Sequence, residues 1–186
     1  MKILDLGCGV CKHKGSSKDK VIGVDKVKTP CTDVVCDVEK KLPFKNNEFD
    51  KVIAIHILEH VSNLVKVMEE VWRVCKPNAE IFINVPYFTS SGAYDDPTHK
   101  RFFTYYTFDY FTHKFKTYNP GIKAKFEILE KRIMFFGENL PENLRYLKIF
   151  DKILTPIINK IPRFYQSYLA WLMPSREIHY RLKALK

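Results

Sequence analysis

No run of apolar residues in this 186-residue sequence approaches the ~20 that a membrane-spanning helix needs. The first residues lack the charged, apolar and small-residue zones of a secretory signal, so a cytoplasmic location is expected. Cysteines number five, an odd count, which argues against a disulfide framework in such a location. No internal repeat and no low-complexity linker breaks the chain, which speaks against a solenoid or a string of modules. Only seven glycines are present, and none opens a Gly-Lys-Ser/Thr triplet, so a Walker-type phosphate loop is absent.

What is present fits one globular domain with a sizeable core. Hydrophobic residues make up 46% and charged residues 28%. The net charge of +10 favours anionic partners. Much of it lies late: from Asn139 onward there are nine Lys or Arg against three acids.

Hydrophobic patterning gives five strands in the first half: Lys2–Leu6, Val21–Asp25, Asp33–Asp37, Phe49–His56 and Glu80–Val85. "VIAI" (52–55) is apolar throughout, as a strand buried on both faces should be. Leu64, Met68, Val71, Trp72 and Cys75 recur at helical spacing, with Ser62 as the expected N-cap and Pro77 as the stop. Strands joined by helices or short crossovers imply a parallel α/β fold. Residues 87–103 read as a long polar–aromatic loop, and long loops in compact domains tend to carry function. A helix is expected over Thr104–Lys116, then two closing strands at Phe126–Leu129 and Arg132–Phe136. Residues 1–137 are read as the core and 138–186 as a basic helical extension packed on it, broken at Pro156.

Ligands of open parallel sheets bind beyond the carboxyl ends of the strands. Chemistry-bearing residues gather there. Asp5 with Gly7 and Gly9 follows strand one, Asp25 ends strand two, Asp37 ends strand three, and His56, Glu59 and His60 follow strand four. The glycines permit a tight turn and close approach of a ligand to bare backbone. Asp25, 18 residues after Gly7, stands where a carboxylate can accept from ribose hydroxyls, so an adenosine-type ligand is expected. The dinucleotide fingerprint is a poor match, because its third glycine would fall at Lys12.

"LDLGCG" (4–9), "VIGVD" (21–25), "CDVEKKLPFKNNEFDKVIAIHILEHV" (36–61) and "VWRVCKPNAEIFINVPY" (71–87) stand in the order and spacing of one family. Together they resemble a class I S-adenosylmethionine-dependent methyltransferase of the methyltransferase-11 type. The resemblance implies a Rossmann-like sheet of order 3-2-1-4-5-7-6 with strand seven antiparallel. It implies that Asp5 and the backbone of Gly7, Cys8 and Gly9 approach the methionine end of S-adenosylmethionine. Asp25, with Lys26 beside it, would take the ribose. Asp37 would take the adenine amino group, with Val38 against the ring, and His56 would line the methionine side.

Departures from the family pattern are specific. Its third glycine is Cys11 here, the glycine pair after Pro77 is Asn78–Ala79, and Pro30 shortens the link between strands two and three, where a helix is expected to be missing. The sequence begins on strand one, where the family often has a preceding helix that closes over the cofactor. The 87–103 loop is expected to serve as lid instead. "DDPTHKRFFT" (95–104) resembles a segment after strand five in methyltransferases acting on cell-surface saccharides and related metabolites. His60, Asp96 and His99 are then the candidate bases, with Arg101 as an anion anchor.

The expected activity is methyl transfer to a small-molecule or saccharide- or lipid-linked acceptor. The alternative is RNA or protein methylation, docked through the basic tail; a non-catalytic binding module is a third reading. The misplacement of Cys31 for a cytosine-methylating nucleophile and the absence of an Asp/Asn-Pro-Pro-aromatic motif after strand four both argue against base methylation. Cys8, Cys11, Cys31, Cys36 and His13 have spacing that a zinc site could use, but Cys8 lies inside the cofactor turn, and no metal is expected. Tyr165, Tyr168, Trp171 and Leu172 among basic residues suit either packing, oligomerisation or a peripheral contact with a membrane surface.

Overall fold

The structure is a computed structural model that describes residues 1–113, 121–136, 142, 146 and 148–186. Seven strands form one sheet: β1 (Lys2–Leu6), β2 (Lys20–Asp25), β3 (Val34–Val35), β4 (Phe49–Ile55), β5 (Cys75–Pro86), β6 (Phe126–Met134) and β7 (Glu177–Ala184). Their order is β3-β2-β1-β4-β5-β7-β6. β1 to β5 run parallel, and β7 lies antiparallel to both β5 and β6. This is the expected topology.

β1 is central because both of its faces can be buried: Ile3, Leu4 and Leu6 are almost wholly inaccessible. Chain direction reverses its progress across the sheet between β1 and β4, which opens a crevice at their carboxyl ends. Parallel pairing brings the carboxyl ends of β1 to β4 to one edge, and with them the acids, the glycine turn and His56.

Helix α1 (Leu64–Val74) buries Val67, Met68, Val71 and Val74, as its apolar spacing requires. Its cap is Asn63, not Ser62: the Asn63 side chain accepts from the Lys66 amide at 3.0 Å. The Glu39 carboxylate accepts from both the Ser62 and Asn63 amides, placing an anion at the positive end of the helix. The helix stops at Val74 rather than running on to Pro77. Cys75 already pairs with Phe49, and β5 resumes its register at Glu80 after an irregularity at Asn78, whose φ is +63°.

Four expectations are corrected further along. The helix over Thr104–Lys116 is a single 3₁₀ turn, Thr107–Phe111, within the described residues. The two closing strands are one strand, β6, with a register shift between Ile128 and Glu130. The extension is not helical to its end: Glu177–Ala184 is β7, inserted between β5 and β6. Helix α2 (Lys148–Lys160) is not broken at Pro156 but contains it. Of the tail expected to be helical from Asn143, residues 143–145 and 147 lie outside the described residues. The link from β2 to β3 holds no helix, as Pro30 suggested.

Candidate active site

The turn after β1 is built from its glycines. The amides of Gly7 and Cys8 both donate to the Val24 carbonyl, at 2.8 and 3.0 Å, clasping β1 to β2. Gly7 has φ +73°, and a Cβ there would lie 2.5 Å from the Ile57 side chain. Gly9 has φ +51°, but a Cβ there would meet open space. Its amide donates to Asp25 Oδ2 at 2.9 Å. Cys8 turns inward and is buried, with Sγ 3.6 Å from the Cys31 carbonyl oxygen and 3.9 Å from Thr32 Oγ1. Burial pushes its thiol pKa up. Cys8 therefore fills a slot beneath the turn, and its backbone alone can face a ligand.

Asp5 lies below the same turn. Its Oδ2 accepts from the His13 amide at 2.7 Å, and burial, only partly offset by that bond, raises its pKa. It anchors the loop that follows the glycines and does not line the cavity above them. Cys11, where a third glycine was expected, is exposed.

Above the turn is a cavity of about 460 Å³. Gly7 and Gly9 form one wall, and Asp25, Lys26, Asp37 and Val38 another. Asp25 accepts from the Val27 amide through Oδ1 and from Gly9 through Oδ2, both at 2.9 Å. Each carboxylate oxygen has a second lone pair, so the two bonds aim the group without exhausting it. Asp37 Oδ1 accepts from the Glu39 amide at 3.0 Å.

The third wall comes from the end of β4. His56 has φ +51°, unusual for a side chain of that size, and strain of this kind concentrates at functional sites. Its Nδ1 lies 3.2 Å from Glu59 Oε1, and its Nε2 lies 3.8 Å from Glu177 Oε1. The bond to Glu59 raises its pKa despite partial burial. Glu177 is buried, which alone would raise its pKa. Hydrogen bonds from His179 and Asn84, with the His56 charge, hold it below the usual range instead.

The 87–103 loop is packed rather than open. Tyr87 and Phe103 are buried and bridged, and the Phe88 amide donates to the Phe103 carbonyl at 3.0 Å. The amides of Lys100 and Arg101 both donate to the Glu59 carbonyl, at 2.7 and 3.1 Å, which pins the loop beside the end of β4. Thr98 and Lys100 reach the cavity. His60, Asp96 and His99 are thereby brought together. The rings of His60 and His99 meet edge-on with centroids 4.6 Å apart. Asp96 is exposed and does not line the cavity, but its Oδ1 accepts from the Thr98 hydroxyl at 2.7 Å. Thr98 Oγ1 in turn stands 2.9 Å from His60 Nδ1, so Asp96 positions His60 through Thr98. The Arg101 guanidinium bonds the Val61 and Ser62 carbonyls and is committed there, away from the anchoring role the sequence suggested.

Further cavities lie elsewhere among the described residues. One of about 580 Å³ runs between Thr89–Ser91, the Phe135–Phe136 pair and Trp171. Thr89 Oγ1, buried beside it, has no hydrogen-bond partner among the described residues. Another of about 590 Å³ lies along β6, walled partly by the Lys131–Asp109 ion pair, and contains none of the strand-end acids. Sequence reasoning missed Asn84 and Glu177. Asn84 sits in an apolar strand, and Glu177 belongs to a segment read as helix.

The geometry fits S-adenosylmethionine. Gly9 presents bare backbone with free space where a Cβ would stand, and carboxylates stand at the ends of β2 and beyond β3. Comparison with known proteins agrees. Residues 4–83 match the family described as a methyltransferase domain. The chain is 32% identical over 103 residues to the mitochondrial ubiquinone biosynthesis O-methyltransferase of Rattus norvegicus, covering 45% of this chain and 30% of that protein. It is 31% identical over 99 residues to sterol 4-C-methyltransferase strm-1 of Caenorhabditis elegans, covering 43% and 29%. The chain thus spans about 30% of the length of these relatives. A solved SAM-dependent methyltransferase from Archaeoglobus fulgidus shares the fold, with a TM-score of 0.54 at 21% identity over 98% of this chain and 85% of that one.

Proposed function

We propose, from the match of residues 4–83 to the methyltransferase domain family, that this chain transfers a methyl group from S-adenosylmethionine to a small, saccharide-like acceptor held at a membrane surface. The observation that carries the reading is the cavity at the carboxyl ends of β1 to β4, where the glycine turn, Asp25, Asp37 and His56 converge. S-adenosylmethionine supplies an activated methyl on a positively charged sulfur. The chain's own residues bind and orient. Asp25 accepts from ribose hydroxyls, Asp37 from the adenine amino group, Val38 packs on the ring, and Gly9 lets the ligand lie on backbone. Orientation of two reactants can supply several powers of ten in rate. His60 and His99 stand on the acceptor side, where a proton must leave a hydroxyl or amine.

Two features support the acceptor class. The cavity of about 580 Å³ pairs aromatic walls, Phe135, Phe136 and Trp171, with hydroxyls of Thr89, Ser90 and Ser91. That combination suits a sugar, which offers one apolar face and many hydroxyls. Next to it the α2 region turns apolar residues outward. α2 meets the sheet with Thr155, Ile158 and Asn159, the last bonding both polar groups of the Ile133 backbone. Ile149, Ile153 and Ile157 face away, continued by Phe164, Tyr168, Trp171 and Leu172, with Trp171 67% and Leu172 79% exposed. Lys152, Lys160 and Arg163 are interspersed. A long exposed apolar stripe with aromatic and basic neighbours suits an anionic membrane surface.

The test is label transfer. Purified protein is incubated with S-adenosylmethionine carrying a radioactive methyl, with membrane lipid extract, soluble polysaccharide or total RNA. Label in the lipid-extractable glycan fraction supports the proposal. Label confined to RNA or protein overturns the acceptor class.

A further inference from the structure

Beside the cofactor cavity lies a cluster with a different chemistry. Glu59, His60 and His99 each offer one ligand atom, and the three atoms lie within 4.8 Å of one another. From this geometry we infer a divalent transition-metal site, of the kind that takes zinc, formed by the Glu59 carboxylate and the imidazoles of His60 and His99. It stands on these residues alone and does not rest on the methyl-transfer reading.

Three observations converge on it. The first is an orphan. Glu59 is 1% exposed, its Oε1 meets His56, and its Oε2 has no hydrogen-bond partner among the described residues. A buried carboxylate oxygen left unsatisfied is costly, and a bound cation removes that cost.

The second is the state of the histidines. His99 Nδ1 stands 3.1 Å from the Ala93 carbonyl oxygen, which can only accept, so Nδ1 carries the proton. His60 Nδ1 stands 2.9 Å from Thr98 Oγ1. The Thr98 hydroxyl donates its own proton to Asp96 at 2.7 Å, so it accepts from His60 Nδ1–H. Both rings therefore keep the Nε2 lone pair for a ligand. A ligating imidazole whose other nitrogen donates to a carbonyl or a carboxylate-backed group is the usual outer shell of a metal centre.

The third is rigidity. Glu59 and His60 share one 3₁₀ turn, and the loop bearing His99 is tied to it by the two amide bonds to the Glu59 carbonyl. A tetrahedral ion with bonds of about 2.0–2.1 Å holds its ligand atoms roughly 3.3 Å apart, within the 4.8 Å that bounds the ligand atoms of these three residues.

The donor set selects the ion. Two imidazoles and one carboxylate suit zinc and its first-row neighbours, whereas magnesium and calcium prefer oxygen alone. Three protein ligands leave a fourth position open. An acceptor hydroxyl bound there would lose its proton more readily than one facing a free imidazole.

Calorimetric titration of metal-free protein with ZnCl₂ tests the site, with MgCl₂ as comparison. One zinc per chain is expected, with magnesium at least 100-fold weaker. Glu59→Gln and His99→Asn should each weaken zinc at least 100-fold, and Thr98→Val by about 10- to 100-fold, as outer-shell losses do. Circular dichroism checks that each variant is folded, and the rise in thermal stability on adding zinc to the parent chain should be lost in Glu59→Gln and His99→Asn. Cobalt(II) loading should give a spectrum without a thiolate charge-transfer band. Failure of the parent chain to bind zinc overturns the proposal. So does a cobalt-thiolate band together with binding that survives His99→Asn, which would assign the ion to the cysteines. S-adenosylhomocysteine titration of the same metal-free samples reports the cofactor cavity separately.

Discussion

Gly7 and Gly9 differ by two positions, yet a single methyl group should act on them differently. Both have positive φ, so alanine at either carries a left-handed backbone penalty of about 1 kcal/mol. At Gly7 the new Cβ would also stand 2.5 to 2.7 Å from three atoms of Ile57. Overpacking of that kind adds roughly 1–3 kcal/mol, for a total near 3 kcal/mol. At Gly9 nothing lies within 4 Å, so the backbone penalty stands alone. For a chain of this size each kcal/mol lowers Tm by about 2–4 °C. Gly9→Ala should then melt about 3 °C below the parent and Gly7→Ala about 9 °C below. Affinity for S-adenosylhomocysteine should separate the pair further. Gly9→Ala, close to the parent in stability, should bind at least tenfold more weakly, a loss of about 1.4 kcal/mol, because its methyl enters the space meant for the ligand. Thermal unfolding and calorimetry on the same samples decide it. Parent-like affinity in Gly9→Ala would show that the ligand does not lie on that backbone, and the reasoning would fail.

Other consequences are as direct. Glu70 accepts two bonds from the Arg73 guanidinium and one from the Leu42 amide, and its pKa is held below the ordinary 4.5 chiefly by Arg73. Its contribution is present above the unfolded pKa and is lost as pH falls through the lower folded value. Glu70→Gln should therefore cost about 2 kcal/mol at pH 7, shrink the parent's advantage below pH 4.5, and flatten the acid limb of a Tm-against-pH curve. On the membrane side, replacing both Ile153 and Ile157 by Glu should cut binding to anionic vesicles at least tenfold. Their side chains are half exposed, so Tm should stay within about 2 °C. Unchanged vesicle binding would remove the membrane surface from the proposal.

The part of the site legible in the sequence is the part made by local chain. A glycine turn after one strand and acids at the ends of the next two are local signals, and parallel pairing alone brings them to one edge. The rest depends on distant segments. Ile178, Tyr180, Leu182 and Ala184 alternate with His179, Arg181 and Lys183, the period of a strand, but the helical spacing of the isoleucines in 149–161 dominates the tail and hides it. Because β7 went unread, so did Glu177 and its bonds to Asn84 and His56. β6 reads as two strands because the extra residue near Leu129 breaks its alternation. The orphan oxygen of Glu59 is visible only once the 95–101 loop is folded against it. Ser62 and Asn63 are equally good caps by type, and Asn63 wins because its side chain reaches the Lys66 amide while the Ser62 amide turns to Glu39.

A crystal structure with S-adenosylhomocysteine bound asks most plainly whether this chain is built around that cofactor. The expected result has the ribose hydroxyls on the Asp25 carboxylate, the adenine beside Asp37 and Val38, and the sulfur facing His60 and His99. Ligand found in the cavity along β6, or in the one beside Trp171, or none at millimolar concentration, would contradict the assignment of the glycine turn as its floor.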